Sequence, residues 1–171
     1  MNTDARSAPR IFSLTQIRHL LRIEFSRAQR YRYPLSVLAI GVDRLGTLRE
    51  HHGAALAPLV LEAVMHEMDD ATRPCDYLGR LPDDRMLIVL PHTGRQDALA
   101  LAERLLERAR NKPVNFEGEP VEISLSLGTA TYVQENALFF DALVDAALDG
   151  VTQAFESGGD RALDRTPGGR A

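Results

Sequence analysis

Hydrophobic spacing along the chain divides it into alternating helical and extended segments. Ile17, Leu20, Leu21 and Phe25 fall on one helical face, which predicts a helix over about 14–31 that stops before Pro34, because a residue preceding proline disfavours the α region. LSVLAIGV (35–42) is almost continuously apolar, the pattern of a strand covered on both faces. Leu61, Val64, Met65 and Met68 then give i, i+3, i+4, i+7 spacing for a helix over about 58–71 that ends near Pro74. Two short strands, Tyr77 to Leu81 and Met86 to Leu90, flank a tight turn with Pro82 at the second position of a type I turn. A helix over about 95–110 buries Ala98, Leu101, Ala102 and Leu105, VEISLSLGTATYV (121–133) alternates as a strand, and Phe139 to Phe155 forms a last amphipathic helix.

The order α-β-α-β-β-α-β-α predicts an α/β sandwich in which a central mixed β-sheet is flanked by helices, with ferredoxin-like or nucleotide-cyclase-like topology. Residues 14–161 form the expected domain; residues 1–13 and 162–171, small, polar or rich in Gly and Pro, read as flexible tails. A chain of 171 residues, 44% hydrophobic, can bury one core without disulfides. Cys75 is the single cysteine, so no internal bridge is possible and a reducing, cytoplasmic setting is expected. No run approaches the roughly twenty apolar residues of a membrane span. A net charge of -4 and the absence of Trp disfavour nucleic acid as a partner. Lys112 is the only lysine; the remaining basic residues are arginines, which suit planar, bidentate recognition of phosphate and guanine. His51, His52 and His66 lack the partners of a zinc site and read as exposed or capping histidines, and no metal or cofactor is expected.

The stretch RPCDYLGRLPDDRMLIVLP (73–91) sets three arginines and three aspartates around the hairpin. It resembles the segment of diguanylate cyclase (GGDEF) domains in which an RxxD motif, five residues, the GGDEF turn and a strand ending in Leu-Pro follow one another. PLSVLAIGVDRL is similar to that family's first strand, ALAERL to its AER helix motif, ISLSLGTA to its SIG strand, and DAALDGVTQAFESGGDR to its closing segment. The resemblance covers roughly residues 14–161 and implies the nucleotide-cyclase-like fold.

The departures bear on activity. In this register the turn is degenerate: Pro82 and Asp83 stand for the two glycines, Asp84 keeps the third position, Arg85 replaces the Glu, and Met86 follows. Proline removes a donor N–H and aspartate adds negative charge where the resemblance sets a triphosphate. Gly41 occupies the position of the family's metal-binding Asp, while Asp43 survives at the second aspartate; Arg49 and Pro58 replace its guanine-reading Asn and Asp, and Phe155 its phosphate-contacting Lys. Metal-assisted phosphoryl transfer needs carboxylates around the ion, so the resemblance implies an inactive domain.

The family's inhibitory site, by contrast, is matched. RxxD occurs three times, at Arg73/Asp76, Arg80/Asp83 and Arg161/Asp164, and register with the turn selects the first. Arg104 in AER matches the further arginine of that site. By resemblance, Arg73, Asp76 and Arg104 bind cyclic di-GMP; the bland reading of the same trio is an exposed ion-pair network, and that of the aspartates and Arg85 a polar turn. The implied function is a cyclic di-GMP receptor acting on an unidentified signalling protein, with a homodimer possible. The other classes are a nucleotide-independent scaffold and a divergent active cyclase. Cys75 carries no assigned role.

Overall fold

The computed structural model describes residues 10–134 and 139–167. Chain order is β1 (Ile11–Phe12), α1 (Leu14–Tyr31), β2 (Leu35–Val42), α2 (Leu45–His52), α3 (Leu56–Ala71), β3 (Tyr77–Arg80), β4 (Met86–Pro91), α4 (Arg95–Asn111), β5 (Val114–Phe116), β6 (Glu119–Val121), β7 (Leu125–Tyr132), α5 (Phe140–Glu156) and β8 (Arg161–Asp164). Six strands form one mixed sheet in the order β1-β3-β4-β2-β7-β8, and β5 and β6 form a separate hairpin.

The sheet is covered on both faces. Leu38, Ile40, Ile88 and Leu127 pack with Val60, Val64 and Met68 of α3 and Leu101 and Leu105 of α4. The alternate residues Val37, Ala39, Val89 and Ala130 pack with Ile17, Leu21 and Phe25 of α1 and Leu143, Ala147 and Val151 of α5. Burial on both faces explains why β2 reads as an uninterrupted apolar run: all of its residues are buried. Two antiparallel neighbours, β4 and β7, hold it at the centre.

Ser13 caps α1 in a reciprocal box with Gln16, and Arg32 in the left-handed region ends the helix two residues before Pro34. On β7, Gly128 permits close packing of α5, since a Cβ there would lie 2.0 Å from the Ala147 carbonyl oxygen.

Four segments differ from the sequence expectations. Both outer strands draw on residues read as tails: Ile11 and Phe12 pair parallel with Leu78 and Gly79, and Arg161–Asp164, of which residues 162–164 were read as tail, pairs parallel with β7. Each is too short to show a period. Of those tails, residues 1–9 and 168–171 lie outside the described residues. The helix α2 was not expected, because it buries no residue fully and presents two half-buried leucines, Leu45 and Leu48. The expected strand 121–133 is divided: Val121 closes the β5–β6 hairpin, whose turn places Glu117 and Gly118 at φ 52° and 88°, and the sheet strand begins at Leu125. Alternation continues through the break, which hid it.

Candidate ligand site and the turn after β3

Strand β3 joins two charged regions, one at each end. Before it, the segment 72–76 leaves α3. The backbone N–H of Arg73 donates to the Asp76 carboxylate at 2.8 Å, and the N–H of Asp76 donates back to the Arg73 carbonyl at 3.0 Å. This reciprocal pair shapes the RPCD loop from its backbone and leaves the Arg73 guanidinium exposed. Burial pushes the Asp76 carboxyl above the ordinary aspartate range, against the opposing effects of the Arg73 N–H and charge.

Arg104 approaches from α4, donating Nη2–H to the carbonyl of Ala71 at the end of α3, at 3.4 Å. It therefore stands beside the same loop as Arg73 and Asp76. A cleft of about 430 Å³ runs along this loop, lined by Arg10, Phe12, Asp69, Arg73, Asp76 and Tyr77 among others; Arg104 borders the loop without lining that cleft.

Tyr77 connects the loop to the interior. Its hydroxyl donates to the buried Glu24 at 3.3 Å, the same carboxylate that accepts from Tyr33 at 3.0 Å and from Arg27 at 2.7 Å. Burial, and then the bond to Glu24, push the Tyr33 hydroxyl up to about 12. The phenols stay protonated and pin α1 to the sheet at this end. Cys75 is exposed, with Sγ 4.0 Å from the Asp76 carboxylate.

After β3 comes the turn Pro82-Asp83-Asp84. The Asp84 N–H donates to Leu81 at 3.3 Å, Asp84 takes φ 66°, and Leu81 and Arg85 close the hairpin at 2.8 Å. A three-residue loop needs a left-handed residue at this point, which aspartate tolerates. The expected Pro82 position holds.

Every carboxylate of the turn is held by arginine. Asp84 accepts from Arg80 at 2.6 Å and lies 3.5 Å from Arg49, the residue that the resemblance sets at the guanine-reading Asn. Asp83 accepts from the Arg85 Nε–H at 2.7 Å and from its backbone N–H at 3.2 Å. Burial works to raise the Asp83 carboxyl, but the Arg85 hydrogen bonds outweigh it and hold the group below the usual range.

The other positions that the resemblance sets near catalysis are equally committed. Asp43 accepts hydrogen bonds from Ser124 and Ser126, each at 2.7 Å, and from the Asp160 N–H at 2.8 Å. At Gly41 a Cβ would lie 2.5 Å from Cζ of Phe155 and 3.0 Å from Val151. The distal end of the Phe155 ring thus occupies the space where the resemblance sets a metal-binding carboxylate. Among the described residues no three His, Cys, Asp or Glu side chains converge to hold a metal ion. With Asp84 clamped by two guanidinium groups and Gly41 under a phenyl ring, these residues do not fit a divalent cation.

Comparison with known proteins fixes the class. Residues 10–161 match the family described as diguanylate cyclase, GGDEF domain. The chain belongs to the GGDEF family. It is 32% identical over 116 residues to the diguanylate cyclase DosC of Escherichia coli, a match covering 66% of this chain and 25% of that protein. It is 28% identical over 98 residues to diguanylate cyclase A of Treponema denticola, covering 57% and 26% respectively. The chain thus spans about a quarter of the length of these relatives. Among solved structures, the GGDEF domain of PA1120 from Pseudomonas aeruginosa superposes with a TM-score of 0.85 at 24% identity, covering 91% of this chain and 96% of that one. The GGDEF domain of DgcB from Caulobacter crescentus, solved in complex with c-di-GMP, gives 0.84 at 10% identity, covering 96% and 94%. The nucleotide-cyclase-like fold expected from the sequence is present.

Sequence reasoning missed three features of the site region. Arg10 lay in a segment read as a tail, Arg49 was treated as a lost guanine reader with no turn partner, and the Tyr77–Glu24–Tyr33 cluster joins residues far apart in the chain. Only the last had a visible signal: Glu24 interrupts the apolar face of α1 beside Phe25.

Proposed function

We propose that this GGDEF domain is catalytically inactive and serves as a cyclic di-GMP receptor, binding the ligand through Arg73, Asp76 and Arg104 and signalling to a protein partner. The observation that carries the reading is the contrast in charge pairing across β3. At the turn, Asp83 and Asp84 are occupied by Arg85, Arg80 and Arg49. At the RPCD loop, the Arg73 guanidinium is exposed and Arg104 makes a single long bond to a carbonyl. An arginine fork suits guanine O6 and N7 and the two phosphodiesters, and a carboxylate suits the guanine N1 and N2 hydrogens. The DgcB domain, of the same fold, was solved with this ligand, and SiaD, a diguanylate cyclase of the same fold, was solved in complex with its activator SiaC.

Thermal unfolding with and without cyclic di-GMP tests the reading. At 100 times its Kd a ligand bound to the folded state adds about 2.7 kcal/mol, so a clear upward shift is expected. Incubation with GTP and Mg²⁺ or Mn²⁺ should give no cyclic di-GMP. Absence of any shift would leave a nucleotide-independent scaffold, and detection of product a divergent cyclase.

A further inference from the structure

Arg10 lines the same cleft as Arg73 and Asp76 but reaches it from a different element, the residue immediately before β1. That strand is held to the sheet by two residue pairs, Ile11 with Leu78 and Phe12 with Gly79, and by the edge-to-face contact of Phe12 on Tyr77 at 6.3 Å between ring centres. The cleft is therefore lined by both the N-terminal edge strand and the RPCD loop. The cleft also contains Asp69, so it favours a ligand that carries both anionic groups and hydrogen-bond donors over a simple anion.

Resting on the receptor reading above, we propose that Arg10 is a further ligand-binding residue. A purine bis-phosphodiester seated on Arg73 and Asp76 places a phosphate against the Arg10 guanidinium and so pins β1 to β3. The physical basis is linkage. A two-residue edge strand opens at low free energy, and a ligand that contacts it only when it is closed stabilises the closed form. Occupancy of the cleft is thereby transmitted to the N-terminal end of the domain.

The test is calorimetric titration of cyclic di-GMP into wild type, Arg10→Ala, Arg10→Lys and Arg73→Ala, with hydrogen exchange of the amides of residues 11–13. Arg10 is exposed and precedes the first element, so its variants should fold, which circular dichroism checks. Arg10→Ala is expected to bind at least about fivefold more weakly through loss of a charge-assisted contact, with Arg10→Lys in between because it keeps charge and loses the planar fork. Ligand should slow exchange at residues 11–13 in wild type and much less in Arg10→Ala. If Arg73→Ala loses affinity while Arg10→Ala binds like wild type, the Arg10 contact is wrong and the receptor reading stands. Unchanged exchange in ligand-bound wild type overturns the pinning. Failure of wild type to bind overturns both.

Discussion

The two ends of β3 carry the same residue types in opposite states. At the turn, Asp83 and Asp84 and the arginines Arg80, Arg85 and Arg49 neutralise one another through side chains. At the RPCD loop, the Asp76 carboxylate bonds a backbone N–H, which leaves the Arg73 guanidinium exposed. A count of charges would not separate the regions. What separates them is whether guanidinium groups hold the carboxylate: Asp83 and Asp84 are bound by arginine side chains, whereas Asp76 takes a backbone N–H and leaves the Arg73 guanidinium exposed.

The contrast can be broken hardest through the support of the loop. Glu24→Ala removes the acceptor of Tyr77, Tyr33 and Arg27. It should cost about 2–3 kcal/mol in urea denaturation, since partly buried hydroxyls lose their partner. An unchanged midpoint would show that the cluster does not hold this end. Gly41→Asp, which restores the carboxylate the resemblance expects, should cost about 1 kcal/mol, because the Phe155 ring end must move aside. Adding Phe155→Lys should recover much of that loss, and neither variant should form cyclic di-GMP from GTP.

Acidification should separate the two ends. Asp76 titrates above the ordinary aspartate range because burial favours its neutral form, so ionising it costs stability and falling pH relieves that cost. Ligand affinity that needs the carboxylate therefore falls as pH drops through this raised value, at milder acidity than for an exposed aspartate. Asp83 has the opposite sign: its pKa is depressed, so its stabilisation is complete above the unfolded-state value and is lost as pH falls through the lower folded one. With Asp83 half exposed the effect on stability is small. Carboxyl carbon NMR shifts should show Asp76 titrating first. The smallest effect belongs to Arg80→Ala, which frees one side of Asp84 and should alter stability by no more than about 0.5 kcal/mol, with ligand binding unchanged.

The central elements were legible because their periods are long. The apolar run of β2 and the helical faces of α1, α3, α4 and α5 each repeat often enough to identify their state. Elements made by tertiary pairing were not. A two-residue β1 and a four-residue β8 take their conformation from neighbours on the sheet, and α2 buries too little to mark a face. At the candidate site, Arg73, Asp76 and Arg104 were expected from motif register, and Arg104 bonds the Ala71 carbonyl at the end of α3 beside the loop. Arg49 beside Asp84 and Phe155 over Gly41 depend on contacts across the fold, to which spacing along the chain gives no access.

The most direct measurement is titration calorimetry of cyclic di-GMP against wild type, Arg73→Ala, Asp76→Ala and the turn variant Arg85→Ala. Wild type and Arg85→Ala should bind alike, while each of the two loop substitutions should weaken binding at least tenfold, about 1.4 kcal/mol. Equal affinity across all four proteins, or loss in Arg85→Ala alone, would contradict the proposed site.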